Sequence, residues 1–98
     1  MEKSELIDTI EIATRLQAEL PGWVFGEQSA LEKTFDRGGF DGSIAFVNEI
    51  AKAANAANHH PDLRVAWNDV TVILSSHDAG GVMDRDFKLA KTIETLAG

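Results

Sequence analysis

The stretch Leu63-Arg64-Val65-Ala66-Trp67-Asn68-Asp69-Val70-Thr71-Val72-Ile73-Leu74-Ser75 reads as a β-hairpin. Residues 63–67 and 70–75 are the strands, and Asn68-Asp69 is the link between them. A two-residue link with Asn at its first position suits a type I′ turn, although Asp fits the second position less well than Gly. That link pairs Trp67 with Val70, sets Leu63 opposite Leu74, and sets His60 opposite His77. Opposed side chains lie within about 5.5 Å of each other at Cβ. The hairpin is therefore expected to bring two imidazoles together at one end of a sheet.

Upstream of the hairpin, residues 40–58 read as a helix. Phe40, Ile44, Val47, Ile50, Ala51 and Ala54 form its apolar stripe. Ala, the best helix former, is dense toward its end. His59-His60-Pro61 stops it, because the residue before Pro is pushed out of the helical region. Further upstream, residues 23–26 and 30–37 read as two strands. Leu31, Lys33 and Phe35 alternate there with Glu32, Thr34 and Asp36, the period of a half-buried strand. The Lys33 methylenes are expected to lie on the apolar face while the charge reaches water. Residues 4–20 read as a first helix with apolar Leu6, Ile10, Ala13, Leu16 and Leu20, Ser4 as N-cap, and Pro21-Gly22 as its stop. Downstream, residues 77–81 are a loop and 84–96 a third helix with Phe87, Ala90, Ile93 and Leu96 on one face.

The order is α-β-β-α-β-β-α. Two hairpins without βαβ alternation predict an α+β fold: a four-stranded antiparallel sheet with three helices packed on one face. At 98 residues the chain suits a single domain, residues 1–98. A core of that size has a thin stability margin, and oligomerisation would bury more surface. Nine Lys and Arg stand against sixteen Asp and Glu. That net charge of −7 opposes direct nucleic-acid binding and attraction to an anionic membrane. The chain has no Cys, which excludes disulfides, thiolate zinc sites and a Cys nucleophile. No apolar run approaches the length of a membrane span and the start lacks a signal-peptide core, so the cytoplasm is the expected location.

All three histidines, His59, His60 and His77, fall between positions 59 and 77. Imidazole titrates near neutral pH and can both give and take a proton, as general acid–base catalysis requires. His59 is adjacent to His60 and would point to the opposite face of a strand, so it joins a shared site only if the backbone turns. The helix end before Pro61 supplies that turn, and Pro61 holds His60 extended. The competing explanation is a structural cross-strand pair at a sheet end. Spacing alone weighs the two evenly. A metal site is disfavoured, since His-His-Pro matches no ligand spacing and no Cys contributes. No P-loop, dinucleotide fingerprint or nucleophile elbow is present.

The chain resembles the pterin-4a-carbinolamine dehydratase family. The resemblance runs through Asn58-His59-His60-Pro61-Asp62, Trp67, His77, Gly80-Gly81 and Asp86, with Leu20-Pro21-Gly22-Trp23 and residues 40–46 adding to it. It implies the same α+β fold, homodimers or homotetramers, a small-molecule pterin substrate and no cofactor. It also implies dehydration of a 4a-hydroxytetrahydropterin to a quinonoid dihydropterin, as in recycling of a tetrahydrobiopterin-type cofactor. His59 and His77 correspond to the main acid–base groups, and His60 completes the catalytic set as a group that binds and orients the pterin and can share in proton transfer. The other candidate substrate contacts are Trp23, Asn55, Pro61 and Asp86; Trp23 would stack on the flat ring, with a core aromatic as the competing explanation. Pro61 would fix His60, and Asp86 would orient a site group, unless it only favours the helix dipole. Trp67 is expected to pack in the hairpin.

Two positions depart from the family pattern. Asn55 stands where the family usually has a charged residue, often Glu, one helical turn before His59. A carboxylate there would stabilise a protonated His59, whereas Asn brings no charge. Met83 replaces a common Thr, which leaves Asp84 as the expected cap of the third helix. The resemblance also carries a second reading. Some family members act as partners of a homeodomain transcription factor and related proteins assist enzyme assembly, so the alternative is a non-catalytic interaction module.

Overall fold

The computed structural model describes residues 6–98. Its elements run α1 (Thr9–Glu19), β1 (Val24–Phe25), β2 (Leu31–Asp36), α2 (Phe40–Ala57), β3 (Asp62–Val65), β4 (Asp69–Leu74) and α3 (Asp84–Ala97). The strands form one antiparallel sheet in the order β1-β2-β4-β3. This is the expected α+β architecture and element order. No helix among the described residues is long and apolar enough to cross a membrane.

One apolar cluster joins the sheet to all three helices. Leu31 and Phe35 of β2 and Val70, Val72 and Leu74 of β4 meet Ile12 and Leu16 of α1, Phe46 and Ile50 of α2, and Phe87, Ala90 and Ile93 of α3. The period of two in the strands and of three to four in the helices puts these residues on facing surfaces. Lys33 shares the inner side of β2. Its ammonium ends on Glu94 of α3 at 2.5 Å rather than in water.

The helix phases need correction. Ser4 lies outside the described residues. Helix α1 starts at Thr9, and Asp8 is its N-cap, with Oδ1 accepting the Glu11 N–H at 2.8 Å. Residues 6–8 precede the helix, and the Ile7 N–H goes to the Val82 carbonyl instead. The buried line is therefore Ile12, Leu16 and Leu20, while Ile10 is 80% exposed. In α2, Ser43, Phe46, Ile50 and Ala54 are buried, whereas Phe40 and Ile44 are exposed. That helix has two apolar sides, and sequence periodicity selected the wrong one at its start. The turn Leu20-Pro21-Gly22-Trp23 is closed by the Trp23 N–H on the Leu20 carbonyl at 3.1 Å, with Gly22 at φ 96°. Pro followed by a positive-φ Gly is the requirement of a type II turn.

The register of the hairpin also differs from expectation. Val65 pairs with Val70, Leu63 with Val72, and Asp62 with Ile73. The Ala66 N–H reaches the Asp69 carbonyl at 2.8 Å, so the turn is centred on Trp67-Asn68 rather than Asn68-Asp69. Neither central residue has positive φ, so the turn is not type I′. The cause lies across the sheet: Asp69 pairs with Asp36, and the Arg37 N–H bonds the Asn68 carbonyl at 2.8 Å. Pairing with β2 extends β4 backward by one residue and moves the turn with it. Each partner shifts by two, which preserves the face of every side chain. His60 and His77 are consequently not opposed, and Trp67 is 71% exposed rather than packed.

Candidate active site

Helix α2 ends at Asn58, which adopts the left-handed conformation at φ 53°, ψ 41°. Asn tolerates this region better than other residues with a Cβ. The His59 N–H then reaches back to the Ala54 carbonyl at 3.1 Å, which satisfies an orphan carbonyl of the last turn. This reversal is the backbone turn that His59 needs. It sends the ring toward α3 and leaves the side chain 10% exposed. His60 leaves on the other side, exposed, with Nε2 at 3.0 Å from Asn55 Oδ1. The sequence pattern assigned Asn55 to His59. The reversal at Asn58 removes His59 from that side, and Asn55 meets His60 instead.

The partner of His59 is Asp86, in the first turn of α3. Asp86 has no exposed surface. Its Oδ1 lies 2.5 Å from His59 Nε2. Its Oδ2 accepts the Met83 N–H and the Ser76 hydroxyl, each at 2.8 Å. Met83 is the N-cap residue and has no side-chain cap bond, so the Asp86 carboxylate serves its backbone. Asp84, expected as the cap, is the first helical residue and pairs with Arg15 at 3.1 Å. A buried carboxylate is tolerable only with such a set of donors. A carboxylate only accepts, so as the partner of a carboxylate the Nε2 of His59 is the donor.

His77 sits in a tight loop closed by a bridge between Ser76 and Gly81. Its side chain is 75% exposed, and Nε2 lies 3.4 Å from Asp62 Oδ2. Because β3 begins at Asp62 and β4 ends at Leu74 in an antiparallel pair, His59, His60 and His77 occupy one end of the sheet. At that end α2 finishes and α3 begins.

A cavity of about 430 Å³ lies between α2 and α3 beside His59. The small side chains of Ala53, Ala56 and Ala57 leave the space, and Arg85, Lys88 and Thr92 of α3 line its polar side. Its volume falls in the range of small-molecule sites, and its mixture of apolar floor and few polar groups is typical of them. Of the three histidines only His59 lines it. Trp23 does not: its ring is 4% exposed, meets Phe35 edge-on at 5.9 Å, and donates from Nε1 to Glu94 at 2.7 Å. It borders a separate cleft with Leu16, Leu20 and Phe25. The structure thus joins His59 to Asp86, and His60 to Asn55, while Pro61 links the two histidines to β3. Sequence reasoning missed Ser76 and Arg85. Arg85 donates from Nε to Ser76 Oγ at 2.8 Å and from Nη2 to Asp78 at 2.7 Å. Their only sequence signal is adjacency to His77 and Asp86.

Known proteins match this chain along nearly its whole length. A family model described as "Pterin 4 alpha carbinolamine dehydratase" matches residues 5–96. A protein of Thermosynechococcus vestitus named "Putative pterin-4-alpha-carbinolamine dehydratase" is 47% identical over 95 residues, covering 96% of this chain and 97% of the relative. A Roseiflexus castenholzii protein of the same name is 43% identical, covering 93% and 96%. Among solved structures, a "transcriptional coactivator/pterin dehydratase" from Brucella melitensis superposes with a TM-score of 0.89 at 29% identity, covering 96% of this chain and all of that one. From the match across nearly its whole length, this chain belongs to the pterin 4 alpha carbinolamine dehydratase family.

Proposed function

We propose that the chain dehydrates a 4a-hydroxytetrahydropterin to a quinonoid dihydropterin and water by histidine general acid–base catalysis. The observation that carries this reading is His59, held by the buried Asp86 carboxylate at the wall of a cavity between α2 and α3. In the reaction the bond from C4a to the hydroxyl oxygen breaks, and the oxygen keeps the bonding pair. A proton from an acid completes the water. The N5 lone pair forms the C4a=N5 bond, and a base takes the N5 proton. One proton is supplied and one removed, so a pair of groups titrating near neutrality suffices.

His59 and His77 are the proposed acid–base groups. Asp86 stabilises the imidazolium form of His59 whenever that ring holds the extra proton. His60, steadied by Asn55 and by Pro61, is proposed to orient the pterin. Arg85, Lys88 and Thr92 offer donors for the carbonyl and ring nitrogens of a flat heterocycle. Trp23 remains a core residue in this proposal, because its ring lies outside that cavity. Self-association into dimers or tetramers belongs to the same reading. Exposed Phe40 and Ile44 on α2 and Val24 and Phe25 on β1 support it.

The test is a turnover assay: purified protein is expected to accelerate the decay of 4a-hydroxypterin absorbance. Absence of acceleration refutes the proposal and favours a non-catalytic interaction module. That second reading draws on the exposed apolar residues of α2 and on the coactivator named in the Brucella melitensis relative.

A further inference from the structure

Ser76 is 1% exposed and stands between a cation and a carboxylate. Arg85 Nε lies 2.8 Å from its oxygen, and Asp86 Oδ2 lies 2.8 Å on the other side. The polarity of this chain is fixed by chemistry. A guanidinium N–H can only donate, so the hydroxyl accepts from Arg85. Its single proton is then left for Asp86. Asp86 in turn holds His59 through its other oxygen. Asp78, Arg85, Ser76, Asp86 and His59 are therefore joined in one run of charge-assisted hydrogen bonds, in which Arg85 donates to both Asp78 and Ser76, and Asp86 accepts from both Ser76 and His59.

We infer that Ser76 is a positioning residue: its hydroxyl pins Oδ2 of Asp86, aims Oδ1 at His59, and tempers the pull of the carboxylate on the His59 proton. The role rests on the proposed dehydration only for its effect on rate. Its effect on His59 holds whatever the chain acts upon. Other charged groups around His59 come from α3, where Arg85 and Lys88 line the same cavity. The α2 residues lining it are Ala53, Ala56 and Ala57, which carry no charge.

The test uses the isosteric pair Ser76→Thr and Ser76→Val, with Ser76→Ala as a smaller companion. Thr keeps the hydroxyl, and Val has the same shape without it. NMR titration of the His59 imidazole is the main readout. Removal of the hydroxyl leaves Asp86 one donor short, which strengthens its hold on the His59 proton. Val and Ala are expected to raise the His59 midpoint by about 0.5–1 pH unit. Thr is expected to titrate like the parent. In the turnover assay Val and Ala should lower kcat by about fivefold, the weight of one hydrogen bond, with KM little changed. If Val folds poorly, Ala carries the comparison. A His59 midpoint unmoved in Ala, or moved equally in Thr, overturns the inference. A shifted midpoint in a chain without pterin turnover keeps the inference and removes the functional reading, so the two fail separately.

Discussion

Replacing Asp86 with Asn tests how the site is held. Asn keeps the shape of the side chain but exchanges one acceptor oxygen for an NH2 donor. In the parent, Oδ2 serves two donors, Ser76 and Met83, and Oδ1 serves His59. The less costly placement turns the amide oxygen toward Ser76 and Met83. The NH2 then faces His59 Nε2, which must become an acceptor, so the imidazole proton moves to Nδ1. The opposite placement sets NH2 against the Met83 N–H, two donors in a site with no exposed surface. Hydrogen bonds to charged groups contribute about 1.5–3 kcal/mol and neutral ones about 1 kcal/mol. Weakening three such bonds, offset by relief of a buried charge, should cost about 2–4 kcal/mol. A domain of this kind holds roughly 5–15 kcal/mol, so the variant still folds. In urea its midpoint should fall by about 1–2 M at unchanged slope. Turnover should fall about 10²–10³-fold, because the tautomer is wrong and no charge steadies the imidazolium. A midpoint within about 0.3 M of the parent with kcat within about threefold would refute this account of Asp86.

Three further outcomes follow from the structure. Asn55→Glu should pair a carboxylate with His60, raise the His60 titration midpoint in NMR, leave His59 in place, and speed turnover; an unchanged rate and pH profile contradicts the assigned role of position 55. Asn58→Ala should lower stability by about 1 kcal/mol in urea denaturation, because Ala tolerates the left-handed conformation poorly, while Asn58→Gly should match or exceed the parent. Lys91 first, and then Arg15, hold the Glu19 carboxyl below its ordinary 4.5. A lowered folded value means the contribution is present above 4.5 and lost as pH falls through the folded value, so thermal midpoints of the parent and Glu19→Gln should converge in acid; a constant gap there speaks against the pairing.

Element order and antiparallel pairing were legible in the sequence, and so was the inner face of residues 31–36 from its alternation, because a shift of partner by two in the hairpin leaves every side chain on its face. The turn position was not, since an interaction of Asn68 and Asp69 with β2 sets it and no local rule contains that contact. The same holds for the site. The need for a turn at His59 was readable from Pro61, but its partner depended on Asn58 entering the left-handed region. Asp86 was visible by its position, whereas Ser76 and Arg85 gain meaning only when the loop at residues 76–81 packs on the start of α3. Ile10 and Phe40 illustrate the limit of periodicity: an apolar residue at the right spacing can still face outward.

The most direct test of the whole account is kcat for 4a-hydroxytetrahydropterin dehydration in the His59→Ala, His77→Ala double variant, compared with the parent chain. The parent is expected to accelerate the reaction and the double variant to lose about 10²-fold or more of that acceleration. A folded double variant that turns over at the parent rate would mean that proton transfer occurs elsewhere.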